Sequence, residues 1–289
     1  MKFSKVAILG AGLLGGSIAR ALTAQKAICG EVFLWARRQE TVDEVDSAGL
    51  GLTATTDLTL AVEDAEVVIL AMTIGSMGGV LAKAKPALSP FAVVTDVGSV
   101  KEPVCLEMPE ILDGAAHFVG SHPMAGSEQS GFAHSRADLL ESAVCIVTPD
   151  QTTDPAALDT VRDFWKLLGM RLLELSPEKH DQIVGQVSHL PHLTAACLVH
   201  AATTAGEEGL KYSGGGFRDS TRVAEGPSAM WAEILLGNRR AVLDSLEGME
   251  KEIQKVSRWL ENEDKDALQT YLEQARVTRS KLRPGKGHE

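Results

Sequence analysis

Two hydrophobic textures divide the chain. Up to about residue 175, short apolar runs recur at Val6–Leu9, Val32–Trp35, Val67–Ala71, Ala92–Thr95, His117–Gly120 and Ala143–Val147. Between them, stretches such as Leu14–Thr23 and Ser76–Ala84 place apolar residues at helical spacing. Strands alternating with helices of this length predict a parallel, doubly wound α/β sheet over residues 1–175.

After Ser176 the strand signals stop. Ser176 is a predicted N-cap, with Pro177 in the first helical position. A helix is expected from about Glu178 to Glu208, then a Gly-rich loop, "SGGGFRDSTRVAEGP", then more helix from Ser228 to about Arg283. The second domain, residues 176–289, is therefore expected to be all-helical, with the boundary near residues 170–176 and a frayed tail, "RPGKGHE". Runs such as "LTAACLVHAA" and "MWAEILL" hold more apolar surface than one small helical domain readily buries, which predicts a homodimer through this half.

Composition narrows the function classes. The 289 residues are 44% hydrophobic and carry a net charge of −11, a balance that argues against general nucleic-acid binding. The scattered Cys29, Cys105, Cys145 and Cys197 form no CxxC pair and read as buried small hydrophobes in a reducing compartment. The N-terminus lacks the pattern of a signal peptide, and no stretch reaches membrane-spanning length. A cytoplasmic protein without membrane or nucleic-acid partners is expected.

The first chemistry lies in "KVAILGAGLLGGSIARAL". Gly10, Gly12 and Gly15 have the G-x-G-x-x-G spacing between an apolar strand and an apolar-periodic helix. In that context Gly10 permits a tight turn, Gly12 admits a pyrophosphate to the backbone, and Gly15 lets the helix pack closely. The helix N-terminus, at Leu13 and Leu14, offers amide donors to phosphate. This makes the first domain Rossmann-type, with Thr73 after a later strand facing the same cofactor. About 20 residues on, a ribose-binding carboxylate is expected for NAD. The sequence there is Ala36, Arg37 and Arg38, and guanidinium groups suit the 2′-phosphate of NADP. NADP is the expected cofactor and NAD the alternative.

A nicotinamide site needs a base and orienting groups. Of eight histidines, His288 lies in the tail, His134 and His180 read as surface residues, and His117 and His200 have ordinary strand and helix positions. His122 in "VGSHPMAGSEQSGF" follows a strand that ends at the cleft. His189 and His192 lie three apart at the start of an apolar helix. No carboxylate or cysteine stands at ligand spacing beside them, so no metal is expected. Ser99, in "DVGSVK", marks another strand end at the cleft.

Taken together, "GAGLLGGSIARAL", "DVGSVK", "GSHPMAGSEQSG", "VSHLPHL" and "GGGFRDSTRVA…PSAMW" resemble the prephenate/arogenate dehydrogenases of tyrosine biosynthesis, in the family's order from Lys5 to Trp231. The resemblance implies oxidative decarboxylation of a cyclohexadienol, with a helical dimerisation domain after the Rossmann-type one. It implies that His122 accepts the proton of the C4 hydroxyl and that Ser99 orients His122 or that hydroxyl. His192 would assist substrate binding, and His189 would either contact substrate or be structural. Ser127, Glu128, Gly215, Asp219, Arg222 and Trp231 match positions around the substrate, Arg222 pairing with a carboxylate. The fused mutase and small regulatory domains that some relatives carry are not expected.

Two other readings are weighed. A β-hydroxyacid dehydrogenase or imine reductase shares the plan, but hydroxyacid dehydrogenases use a lysine on the long helix, and "IVGQVSHLPHLTAACLVHAA" has none. An NADPH-sensing module would not need His122 with Ser99 and a substrate-closing loop. The sequence leaves open whether prephenate or arogenate is preferred.

Overall fold

The computed structural model describes residues 3–25, 27–126 and 129–282. Eight strands form one sheet: β1 (Phe3–Leu9), β2 (Cys29–Trp35), β3 (Thr53–Thr55), β4 (Val67–Leu70), β5 (Val93–Asp96), β6 (His117–Pro123), β7 (Val144–Thr148) and β8 (Arg171–Glu174). Their order across the sheet is β3-β2-β1-β4-β5-β6-β7-β8. The strands from β1 to β6 pair in parallel, through crossovers that include α1 (Leu13–Ala24), α2 (Gln39–Ser47), α3 (Leu58–Val62), α4 (Ile74–Ala84) and α5 (Glu102–Leu112).

One pairing departs from the all-parallel expectation. β7 runs antiparallel to β6. Among the described residues between them there is only a 3-10 turn, Phe132–His134, and no crossover helix to carry the chain back across the sheet. β7 therefore starts where β6 finishes. The long α6 (Pro155–Leu167) then supplies a crossover, and β8 is parallel to β7.

Alternation within the strands makes two cores. Ile8, Ile69 and Val119 join Phe164 and Trp165 on one face, while Ala7, Leu9, Val68, Leu70 and Val94 join Met77, Leu81 and Met108 on the other. Central strands buried on both faces read as unbroken apolar runs, which is why they stand out in the sequence.

The helical half begins as expected: Ser176 Oγ accepts the Lys179 amide at 3.2 Å and Pro177 starts α7 (Pro177–Val184). The single long helix expected to Glu208 is instead interrupted. A π-helical turn, Gly185–His189, joins α7 to α8 (Leu190–Thr203), and a 3-10 segment, Glu207–Tyr212, follows. The Gly-rich stretch expected as a loop is mostly helical too, as α9 (Gly215–Thr221) and a 3-10 turn, Arg222–Glu225. Three helices follow among the described residues: α10 (Ser228–Gly237), α11 (Arg239–Glu261) and α12 (Lys265–Ser280). Residues 1–241 form one compact unit and 242–289 another. Cys29, Cys105 and Cys145 are buried, whereas Cys197, on a face of α8 left uncovered within the chain, is exposed. No helix among the described residues is long and apolar enough to cross a membrane.

Candidate active site

The parallel strands end at one edge, and the strand order reverses between β1 and β4. Ligands of doubly wound sheets bind in the crevice outside such a switch point. Here a cleft of about 660 Å³ opens there, lined by the turns after β1, β4, β5 and β6 and by residues of the helical segment up to Ile234.

The β1 turn is built for close approach. Gly10 has φ +118°, a conformation that favours glycine, and a side chain there would strike the Ala71 carbonyl. A side chain at Gly15 would strike the Gly10 carbonyl, so α1 can pack against the turn only with glycine at that position. Gly12 faces open space, and the start of α1 has no side-chain cap and no acidic residue in its first turn. Its amides are thus directed into the cleft, where Gly12, Leu13, Leu14 and Thr73 form part of the lining. A dinucleotide phosphate fits this arrangement.

Across the cleft stands a hydrogen-bonded chain of buried side chains. His122, the penultimate residue of β6, is 7% exposed and lines the cleft. Its Nδ1 lies 2.8 Å from Nε2 of His180, whose Nδ1 lies 2.7 Å from Oδ1 of Asp181. Asp181 is itself held by the Lys101 amide at 2.7 Å and the Glu102 amide at 2.9 Å, at the start of α5. Beneath it, the buried Lys101 ammonium pairs with Asp96 and donates to the Ser121 carbonyl at 3.0 Å.

The chain determines where protons sit. The Asp181 carboxylate can only accept, so His180 Nδ1 carries a proton; neutral His180 then accepts at Nε2, and His122 donates from Nδ1. The Nε2 of neutral His122 is left as a lone pair for the cleft. Burial, then the neighbouring His180, Lys101 and His189, hold the His122 pKa well below its ordinary value. Burial also lowers that of His180, against the opposing pull of Asp181. Both rings are kept neutral, which is the form a base requires.

Ser99, in the turn after β5, and His189, Arg222 and Trp231, on the helical side, line the same cleft. His192 is absent from the lining. Its ring stacks on Trp231, centroids 3.5 Å apart at 10°, so it reaches the cleft only through that indole. His189 stands edge-on to Trp231 at 6.2 Å. Among the described residues, no three His, Cys, Asp or Glu side chains are grouped to hold a metal.

Comparisons with known proteins give matches over both halves of the chain. Residues 18–174 match the model of the prephenate dehydrogenase nucleotide-binding domain, and residues 176–274 match that of the prephenate dehydrogenase dimerization domain. The chain belongs to the prephenate dehydrogenase family. It is 35% identical to the prephenate dehydrogenase of Bacillus subtilis, over 96% of this chain and 76% of that one. It is 33% identical to the cyclohexadienyl dehydrogenase of Zymomonas mobilis, over 97% of each. Among solved structures, the Aquifex aeolicus prephenate dehydrogenase in complex with hydroxyphenyl propionate and NAD+ superposes with a TM-score of 0.89 at 32% identity, covering 98% of this chain and 99% of that one. Synechocystis arogenate dehydrogenase superposes at 0.81 with 29% identity, over 96% and 99%.

Several of the expected residues do not line the cleft. Ala36 is buried at the end of β2, and Arg37 and Arg38 are exposed beside it, outside the cleft lining. Gly215 and Asp219 sit on α9 and do not line the cleft, and a side chain at Gly214, Gly215 or Gly216 would meet no protein atom within 4 Å. Ser127 and Glu128 lie outside the described residues. The clearest correction concerns His180. Expected at the surface because Glu178, Lys179 and Gln182 surround it, it is fully buried and occupies the orienting position beside His122 Nδ1. Ser99 shares the cleft but is not the Nδ1 partner.

Proposed function

We propose that the protein oxidatively decarboxylates prephenate, arogenate or both, with hydride transfer to NADP+, as a cytoplasmic enzyme of tyrosine biosynthesis. The observation that carries the reading is the Asp181–His180–His122 chain, which ends on a neutral imidazole in a cleft shared with the glycine turn. When bound, the nicotinamide supplies the hydride acceptor. His122 Nε2 takes the proton of the hydroxyl on the carbon that loses hydride. The ring carboxylate departs as CO₂, and the electron pair of the broken C–C bond enters the ring. The resulting phenolate oxygen can take the proton back from His122. Arg222, on the cleft wall, pairs with a substrate carboxylate through a bidentate fork. Ser99, which also lines the cleft, bonds the hydroxyl, and Trp231, backed by His192, gives the ring an apolar wall.

NADP is favoured by the tip of β2, where no carboxylate stands and neither Arg37 nor Arg38 enters an ion pair among the described residues. Turnover of prephenate and of arogenate, each with NADP+ and NAD+, tests the reading through the absorbance of the reduced nicotinamide and release of CO₂. Absence of turnover with either substrate would overturn it. Arg37→Ala should raise KM for NADP+ by about tenfold or more, as expected for losing a charge-assisted contact, and leave that for NAD+ nearly unchanged. Equal or better use of NAD+ by the parent protein would remove the preference.

A homodimer is the proposed assembly. Leu198 on α8 and Met230 and Leu236 on α10 are exposed, as are Leu243, Ile253, Leu260, Leu272 and Val277 on α11 and α12. Solvent-facing aliphatic residues in this number are the composition of an obligate interface, and a second copy is the partner that a dimerization domain provides for. Light scattering should give twice the chain mass at micromolar concentration. A monomer there would refute the dimer.

A further inference from the structure

The hydrogen bonds around Asp181 reach a second histidine. Asn238, which caps α10, is buried, and its Nδ2 donates to the Asp181 carbonyl at 2.7 Å. The same Nδ2 lies 3.0 Å from Nδ1 of His189. An amide NH₂ has hydrogens to give and no lone pair to receive one. Turning the amide over would set its oxygen against the Asp181 carbonyl, acceptor on acceptor. The ring nitrogen facing Asn238 must therefore be unprotonated.

We propose that Asn238 is a positioning residue that fixes His189 as the tautomer with its proton on Nε2, giving the cleft a hydrogen-bond donor for a ligand oxygen beside the acceptor presented by His122. His189 lines the cleft and is fully buried, and its Nε2 has no hydrogen-bond partner among the described residues. The Ser99 backbone lies close enough to favour a charged ring but does not accept from Nε2 in hydrogen-bond geometry. A buried donor without a partner is a group waiting for one. A second proton on this ring would point at the Asn238 NH₂, and burial adds to the cost, holding the pKa down to about 4.

The backbone explains how the two residues meet. The π-helical turn Gly185–His189 inserts a residue into an otherwise α-helical run and so turns His189 out of the register of α7. Gly185 lets that turn lie against Ala241, where an added side chain would come within 3.1 Å, three residues beyond Asn238. Asp181 thus acts twice. Its carboxylate makes His122 Nε2 an acceptor through His180, and its carbonyl makes His189 Nε2 a donor through Asn238.

The ligand oxygen belongs either to the cofactor's carboxamide or to the substrate. That choice rests on the dehydrogenase reading; the tautomer does not. The test is long-range ¹H–¹⁵N correlation of imidazole nitrogens in the full chain labelled at histidine, with His189 assigned by its loss in His189→Gln. The parent protein at neutral pH should show the Nε2–H tautomer before any ligand is added. Asn238→Ala should mix the tautomers. Asn238→Asp should move the proton to Nδ1 or charge the ring, with kcat/KM lowered roughly ten- to hundredfold, as for loss of one buried hydrogen bond. Adding NADP+ alone, or 3-(4-hydroxyphenyl)propionate alone, should shift the Nε2-bound proton for whichever molecule carries the acceptor. An Nδ1–H or charged ring in the parent protein overturns the proposal, and that measurement needs no variant to fold. An unchanged tautomer in both Asn238 variants overturns the role of Asn238. A proton that neither ligand moves overturns the donor role, whether or not the protein turns over either substrate.

Discussion

His122→Asn is expected to lower kcat by roughly two to four orders of magnitude, the usual range for losing a general base, with fold and cofactor affinity retained. The asparagine amide can still bond toward His180 but brings no basic lone pair to the cleft. The pH dependence carries the same argument. Only neutral imidazole can take the proton, so activity falls as pH drops through the His122 pKa. Burial and the adjacent His180 and Lys101 hold that pKa well below 6.5, so kcat/KM of the free enzyme should stay level through 6.5 and decline only in more acidic solution. His122, His180 and His189 are all depressed in the folded protein. The unfolded chain therefore takes up protons first, and stability too is lost as pH falls from about 6.5 toward the folded values. Folding must accordingly be followed alongside rate. Near-normal turnover in His122→Asn, or an acid limb at or above the ordinary histidine value in a folded protein, would remove His122 as the base.

The parts of the fold that were legible in the sequence are those where burial alone selects residues. β1, β4 and β5 are buried almost throughout and appear as apolar runs. β3, "TAT", and β8, "RLLE", escaped because they lie at the two edges and stay partly exposed. An edge strand is defined by the neighbour that pairs with it, and its own residues give little sign. Strand direction left no trace either, because a two-residue alternation is the same in both directions; the antiparallel β7 follows from the missing crossover helix. The break between α7 and α8 had its signals in Gly185, which opens the π turn, and Pro191, which cannot donate a backbone hydrogen bond, and the single helix expected there passed over both.

The site was legible where a residue type is tied to its chemistry. The glycine turn and His122 could be found from their neighbours along the chain. His180 could not, because "PEKHDQ" is polar throughout. On α7, however, His180, Asp181 and Val184 share the buried face while Glu178, Lys179 and Gln182 face out. Placing that segment on a helical wheel would have put His180 on the side of Val184. Asn238 gave still less warning. "LLGNRR" lies inside the stretch expected as helix from Ser228 to about Arg283, and the partners of Asn238, Asp181 and His189, are 57 and 49 residues away. A tautomer fixed by such distant contacts exists only once the helices are packed.

The largest stability effect is expected beneath the site, at Lys101→Met. Lys101 and Asp96 are both fully buried. The Asp96 carboxylate also receives the Gly98 amide at 2.7 Å and the Ser121 amide at 3.1 Å. Removing the ammonium leaves a carboxylate in the core with amides but no counter-charge, a loss of about 3–5 kcal/mol. For a unit of this size that is a fall in Tm of roughly 6–20 °C. Asp96→Asn with Lys101→Met should be closer to the parent than Lys101→Met alone, because a neutral amide needs no counter-ion, although its one oxygen can accept from only one of the Gly98 and Ser121 amides, which bond different oxygens of Asp96. The site should feel the change as well. Lys101 Nζ holds the Ser121 carbonyl, one residue before His122, and its charge helps keep His122 neutral. In Lys101→Met the acid limb of kcat/KM should therefore move up toward the ordinary histidine value. A single variant within about 1 kcal/mol of the parent in denaturant unfolding would contradict the buried pair. Lost stability with an unmoved acid limb would confine Lys101 to holding β5, β6 and α5 together and leave the neutrality of His122 to burial and His180.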